Sequence, residues 1–107
     1  MDILNNLEKK INSELNTKIN NSKIEHQQLV LNIDSQDLLD VVLFLKTNPD
    51  TKFRQLIDIT AIDYPENVKR FKMIYLFLSH EFNHRTIVNY YINENEKVPT
   101  LTKIFPS

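Results

Sequence analysis

The sequence predicts an α+β domain: a two-layer arrangement in which helices pack on one face of a mixed, mainly antiparallel sheet, in the order α-β-β-α-β-β-β. Three observations predict it. Two segments repeat apolar residues at helical spacing, five shorter stretches alternate or run apolar at strand length, and all of this falls within 107 residues. A chain of that length is one domain's worth, read here as a single domain over residues 1–107. It buries roughly two thirds of its unfolded surface, enough for one core without covalent staples.

The first helix comes from Ile3, Leu4, Leu7, Ile11 and Leu15, which recur at three- and four-residue steps behind Asp2, so the first fifteen residues read as amphipathic. Residues 17–25 are polar apart from Ile19 and Ile24 and read as an edge strand. Residues 28–33 alternate, with Leu29, Leu31 and Ile33 on one face, and the His26-Gln27 step before them suggests a short hairpin. Asp34 or Ser35 can cap a second helix. Its stripe is Leu38, Val41, Val42 and Leu45, widened by Leu39 and Phe44. The run Thr47-Asn48-Pro49-Asp50 ends it, because proline cannot continue a helix and restricts the residue before it.

The remainder is strand-like. Across residues 56–64, Ile57, Ile59 and Ala61 share one face, and Leu56, Asp58, Thr60 and Ile62 the other, until Pro65 breaks the run. Residues 71–78 are apolar on both faces, Phe71, Met73, Tyr75 and Phe77 against Ile74, Leu76 and Leu78, which predicts a central strand covered on both sides. Residues 80–84 form a polar connection, and residues 86–92 turn Val88, Tyr90 and Ile92 inward.

Composition excludes several chemistries. The chain has no cysteine, so disulfides, thiolate metal sites and a cysteine nucleophile are out. It has no glycine, so neither a Walker A loop nor the dinucleotide fingerprint can be present. Tight turns then fall to asparagine and aspartate, which tolerate positive φ. The thirteen asparagines, twelve isoleucines and ten lysines also suit an AT-rich coding sequence. The balance of 41% hydrophobic and 25% charged residues is that of a soluble globular protein. No apolar run approaches the ~20 residues a bilayer requires, and no signal peptide opens the chain, so any membrane attachment is expected through a partner. Net charge is −1, and the adjacent basic pairs Lys9-Lys10 and Lys69-Arg70 are flanked by acids. Nucleic-acid binding needs a basic stripe to displace counterions, and there is none.

One motif looks like chemistry. His80-Glu81-Phe82-Asn83-His84 matches H-E-x-x-H, which holds zinc when a helix sets residues i and i+4 on one face and the glutamate serves as base. Here the match lies between two strand-like runs, where i and i+4 are not side by side, and a solvated hairpin turn is the reading adopted. The zinc-hydrolase alternative would use His80, Glu81 and His84. Asp58 and Asp63 fall on opposite faces of one strand, and nothing converges on Glu94 and Glu96. His26 sits in a turn without a nameable partner, and Tyr75, Tyr90 and Tyr91 lie in strands where packing accounts for them.

The second half also carries a resemblance. Phe53-Arg54-Gln55-Leu56-Ile57-Asp58-Ile59-Thr60-Ala61-Ile62-Asp63-Tyr64-Pro65 is similar to a family segment of the form fxxLxDitavDYP. The run from Arg70-Phe71 to Leu78-Ser79 resembles its RFevvYhlLS strand, residues 83–88 its nxRirv, and Val98-Pro99-Thr100-Leu101 its vPSv. The family is that of the C subunit of the proton-pumping NADH:quinone oxidoreductase, respiratory complex I, with its mitochondrially encoded counterparts. The likeness covers roughly residues 35–105. The family's Glu-Arg-Glu segment would follow Phe105-Pro106, and the chain stops at Ser107, so it is read as the N-terminal domain of a longer protein.

The resemblance implies a peripheral-arm subunit with a structural and assembly role. It would bind no flavin, cluster, quinone or other cofactor itself. It would sit beside the quinone-side and terminal-cluster subunits and reach the membrane only through the complex. The location implied is the cytoplasmic side of a bacterial inner membrane, or the matrix side of the mitochondrial one. The alternative is a small α+β interaction domain of an unrelated complex, since fold alone does not fix function. Loops on a rigid scaffold usually carry recognition, so the interaction residues named are Asp63, Tyr64, Pro65 and Arg70 around the 63–65 turn and the entry to the next strand.

Overall fold

In the computed structural model, residues 3–48, 51–53, 55–79, 84–96 and 98 are described. The elements are α1 (Ile3–Glu14), β1 (Asn21–Glu25), β2 (Gln28–Asn32), a 3-10 turn (Ser35–Asp37), α2 (Leu38–Thr47), β3 (Gln55–Asp63), β4 (Phe71–Ser79) and β5 (His84–Ile92). Both helices and all five strands expected from periodicity are present in the expected order. The strands form one sheet in the spatial order β1-β2-β5-β4-β3. Every neighbouring pair is antiparallel except β2 and β5. A parallel pair needs a long crossover, which the chain supplies through α2, β3 and β4.

The core lies between the helices and one face of the sheet. Leu7, Ile11 and Leu15, with Leu38, Val41, Val42 and Leu45 of α2, form one cluster with Leu29, Leu31, Tyr75, Phe77, Val88 and Tyr90. The stripe read from the sequence for α2 is therefore its buried face. Phe53 closes the helix's lower end, its N–H donating to the Leu45 carbonyl at 2.8 Å. The buried Thr51 hydroxyl donates to the same carbonyl at 2.7 Å, so that two donors from beyond the helix satisfy one of its C-terminal acceptors. Two buried tyrosines cross the middle of the sheet, with Tyr75 and Tyr90 hydroxyls 2.7 Å apart and ring centroids at 5.5 Å.

The structure corrects the sequence reading at five points. The N-terminus of α2 has no side-chain cap: neither the Asp34 nor the Asp37 side chain bonds a helix amide, and the 3-10 turn carries the entry instead. Asp34 accepts from Asn20 at 3.0 Å, and the Ser35 hydroxyl donates to Glu96 at 2.5 Å. Positive φ is not borne by asparagine or aspartate among the described residues. His26 (52°), Gln27 (64°) and Lys52 (49°) carry it, the first pair because a two-residue hairpin of type I′ requires φ > 0 at both centres.

The faces of β3 are also not those of strict alternation. A register shift between Leu56 and Asp58 makes Ile57 an extra residue, so that Leu56 opposes Phe77 and Ile59 opposes Tyr75. Leu56, Ile59 and Ala61 therefore share the helix-side face, and Ile57 leaves the ladder. On β4 the inward Met73, Tyr75 and Phe77 are buried, whereas Ile74, Leu76 and Leu78 are half-buried, since both helices lie on the other side. The strand is internal to the sheet and covered on one face. The fifth correction is His84, which is buried rather than solvated.

Candidate functional site

The residues singled out for recognition come together at the end of the β3–β4 hairpin. Antiparallel pairing sets Asp63 opposite Phe71, and one step further the Tyr64 N–H donates to the Arg70 carbonyl at 2.6 Å. That register brings the Arg70 side chain onto Asp63. Nε reaches Oδ1 at 2.7 Å and Nη2 reaches Oδ2 at 2.9 Å, a two-pronged fork that matches guanidinium to carboxylate geometry. The third nitrogen, Nη1, donates to Glu94 Oε2 at 3.4 Å. These bonds hold the Asp63 carboxyl below its usual pKa and raise that of Arg70, hydrogen bonding being the first cause in each case. The guanidinium also lies 5.4 Å from the Phe71 ring centroid.

Tyr64 packs on Tyr91 from β5, ring centroids 6.3 Å apart, and Lys72 stands 5.8 Å over the Tyr91 ring. Pro65 is exposed in the turn, which the Asn67 N–H closes onto the Tyr64 carbonyl at 3.0 Å. Asp63, Tyr64 and Arg70 thus form one connected surface cluster, and Pro65 shapes the turn without a polar contact of its own. Sequence reasoning missed three contributors: Glu94, Tyr91 and Val68. Glu94 follows once Phe71 is set opposite Ile92, because Arg70 and the residues after β5 lie just outside that pair; Tyr91 stands inside the ladder opposite Lys72 and meets the Tyr64 ring across β4. Val68 had no signal, yet it is 93% exposed at the turn's tip.

The H-E-x-x-H match falls partly outside the described residues, since His80, Glu81, Phe82 and Asn83 are not among them. His84 opens β5 opposite Ser79, and burial lowers its pKa from the ordinary 6.5. It belongs to the inward row with Thr86 and Val88. Asp58 and Asp63 pair with Leu76 and Phe71, on opposite faces as the sequence implies. Glu96 does not act with Glu94; it accepts from the Ser35 hydroxyl and the Asn93 N–H, which lowers its pKa.

A shallow cleft of about 400 Å³ opens beside this cluster, lined by Asn20, Asn21, Asn32, Asp34, Lys69 and Asn89 among others. Its polar side chains bond to one another, the Asn32 amide donating to Asn21 at 2.6 Å and the Asn20 amide to the Asp34 carboxylate at 3.0 Å. No group of three or more histidine, aspartate or glutamate side chains able to hold a metal occurs among the described residues. Nor is any described helix long and apolar enough to cross a membrane. The cluster is a turn with exposed aromatic and aliphatic side chains around a fixed ion pair.

Comparison with known proteins agrees with the resemblance. The NADH-quinone oxidoreductase C subunit of Dinoroseobacter shibae is 40% identical over 86 residues, spanning 80% of this chain and 40% of that protein. The corresponding C subunit of Rhodopseudomonas palustris is 34% identical over 96 residues, 90% of this chain and 48% of its own length. The chain thus spans less than half the length of these curated relatives. In fold it is similar to a chain in the structure of the membrane-bound sulfane sulfur reductase, an archaeal respiratory membrane complex, with a TM-score of 0.81 and 19% identity over 95% of this chain and 59% of that one. Residues 31–107 match the family described as "Respiratory-chain NADH dehydrogenase, 30 Kd subunit", and since that is well over half of the sequence, the chain belongs to this family.

Proposed function

We propose that this chain is the N-terminal part of a non-catalytic peripheral-arm subunit of the proton-pumping NADH:quinone oxidoreductase. The observation that carries the proposal is the family match over residues 31–107, joined to relatives named as the C subunit of NADH-quinone oxidoreductase. The site geometry agrees with a structural role. Its charged groups are committed to each other in the Asp63–Arg70–Glu94 cluster, not turned toward a common reacting centre. In this reading the chain binds no cofactor of its own and docks against the quinone-side and terminal-cluster subunits. It reaches the membrane only through them, on the cytoplasmic side in a bacterium or the matrix side in a mitochondrion.

The turn at residues 63–70 is proposed as part of the docking surface. Tyr64, Pro65 and Val68 supply contact area, and the Arg70 fork holds the turn in one geometry. Removing the gene from its host and measuring NADH:quinone reductase activity in isolated membranes tests the proposal. The activity falls to background and returns with the wild-type gene. Membranes that keep their activity without the protein would refute it.

A further inference from the structure

The two edges of the sheet are built differently, and the difference points to a second use of the molecule. β1, at one edge, is five residues long, polar, and carries Lys23. β3, at the other, is nine residues long with the sequence QLIDITAID, and all but one of its residues are exposed. Edge strands are normally blunted by lysine, proline, shortness or a bulge, because their free N–H and C=O groups are a template for another strand. β3 has no lysine and no proline, and its bulge is confined to Ile57 near its start. Ile57, Ile59 and Ile62 are 43%, 48% and 37% exposed, so the strand is apolar where neither the helices nor a neighbour covers it.

The backbone phase can be fixed. The Tyr64 N–H bonds the Arg70 carbonyl, and antiparallel ladders alternate bonded and non-bonded pairs. Ile62, Thr60 and Asp58 therefore bond across to Lys72, Ile74 and Leu76. Ile59, Ala61 and Asp63 direct both N–H and C=O away from β4, to the side on which no described strand lies.

We propose that this edge takes an extended segment of another subunit as a sixth strand, paired through Ile59, Ala61 and Asp63. Charge selects the occupant. β3 carries Asp58 and Asp63 and no cation, and Asp58 makes no ion pair among the described residues, its hydrogen bond being from Thr60 at 3.4 Å. A second copy would bring the same two carboxylates and no new cation. The segment that fits has an apolar side chain beside Ile59 on the helix-side face and, on the other face, lysine or arginine facing Asp58 with an apolar side chain beside Ile62; backbone pairing gives the affinity and these side chains the specificity, as in strand addition generally. The proposal rests on the reading of the chain as part of a respiratory assembly.

The test is residue-resolved amide hydrogen exchange on the natural full-length protein, free and within the complex purified through a tag on it. The Ile59, Ala61 and Asp63 amides should exchange fast when free and at least about tenfold more slowly in the complex. Equal exchange in both states overturns the strand addition while leaving the family role standing. Failure of the wild-type protein to bring down any other respiratory subunit overturns both. Ala61→Pro gives an independent arm, because it removes an N–H that β4 does not use. It should keep the free protein's melting temperature and weaken recovery of the complex by roughly tenfold or more. Unchanged recovery overturns the proposal, and if the variant does not fold, the exchange comparison on wild type decides alone.

Discussion

Tyr75 and Tyr90 place two hydroxyls in the core where each is the other's hydrogen-bond partner, and replacing them singly and together tests that pairing. Both side chains are 1% exposed, and the oxygens are 2.7 Å apart. Burial raises both phenol pKa values, so neither ionises in any ordinary buffer and both hydroxyls stay neutral. Tyr75→Phe leaves the Tyr90 hydroxyl buried without its partner, and Tyr90→Phe does the reverse. Each single change loses a bond and keeps a desolvated polar group, which costs about 1–3 kcal/mol. Tyr75→Phe with Tyr90→Phe removes both polar atoms from an apolar surrounding of Met73, Phe77 and Val88, and such a paired removal is close to neutral. For a domain of this size the single variants should melt roughly 4–24 °C below wild type, from about 4–8 °C per kcal/mol. Thermal and urea denaturation of the four proteins gives the cycle. A double variant as unstable as the sum of the singles would refute the reasoning, since the hydroxyls would then be satisfied independently.

Other outcomes follow from the same packing. Phe77→Ala, on the covered face, should cost about 3–5 kcal/mol, whereas Leu76→Ala on the open face of the same strand should cost no more than about 1.5 kcal/mol, as denaturant titration will show. Burial depresses the His84 pKa in the folded chain below 6.5, so the unfolded state takes up the proton first. The contribution of His84 to stability is therefore complete above pH 6.5 and is lost as pH falls through the depressed value. His84→Gln should flatten the stability profile in that window, measured by urea midpoints at a series of pH values. Gln27 holds φ at 64° in the primed turn, so Gln27→Gly should raise stability by up to about 1 kcal/mol, relieving a left-handed residue that glycine adopts freely.

Most of the fold is legible in the sequence because its periodicities are unambiguous where one face is buried. Leu38, Val41, Val42 and Leu45 can only be a helix stripe, and Val88, Tyr90 and Ile92 can only be one side of a strand. Reasoning from pattern failed where pattern carries no information. A bulge at Ile57 leaves the apolar count unchanged and shifts the face of Leu56. The largely apolar run of β4 looks the same whether its second face is covered by helices or left half-exposed. Of the cluster at the β3–β4 turn, Asp63, Tyr64, Pro65 and Arg70 are marked in the sequence by the turn they surround. Glu94 and Tyr91 are not, because their nearness to Arg70 and Tyr64 depends on the β4–β5 register, which no local signal sets. The open edge of β3 was hidden for the same reason: a strand's place in a sheet is a property of the whole topology.

Central to the proposed function is that this chain docks into a respiratory NADH:quinone oxidoreductase and supplies none of its chemistry. Solubilised membranes from cells carrying the tagged protein, separated by affinity purification, test it most directly when NADH:quinone reductase activity is assayed in the eluate and in the protein purified alone. The activity should elute with the tag and be absent from the isolated protein. Activity left wholly in the flow-through, or reductase turnover by the isolated protein, would contradict the claim.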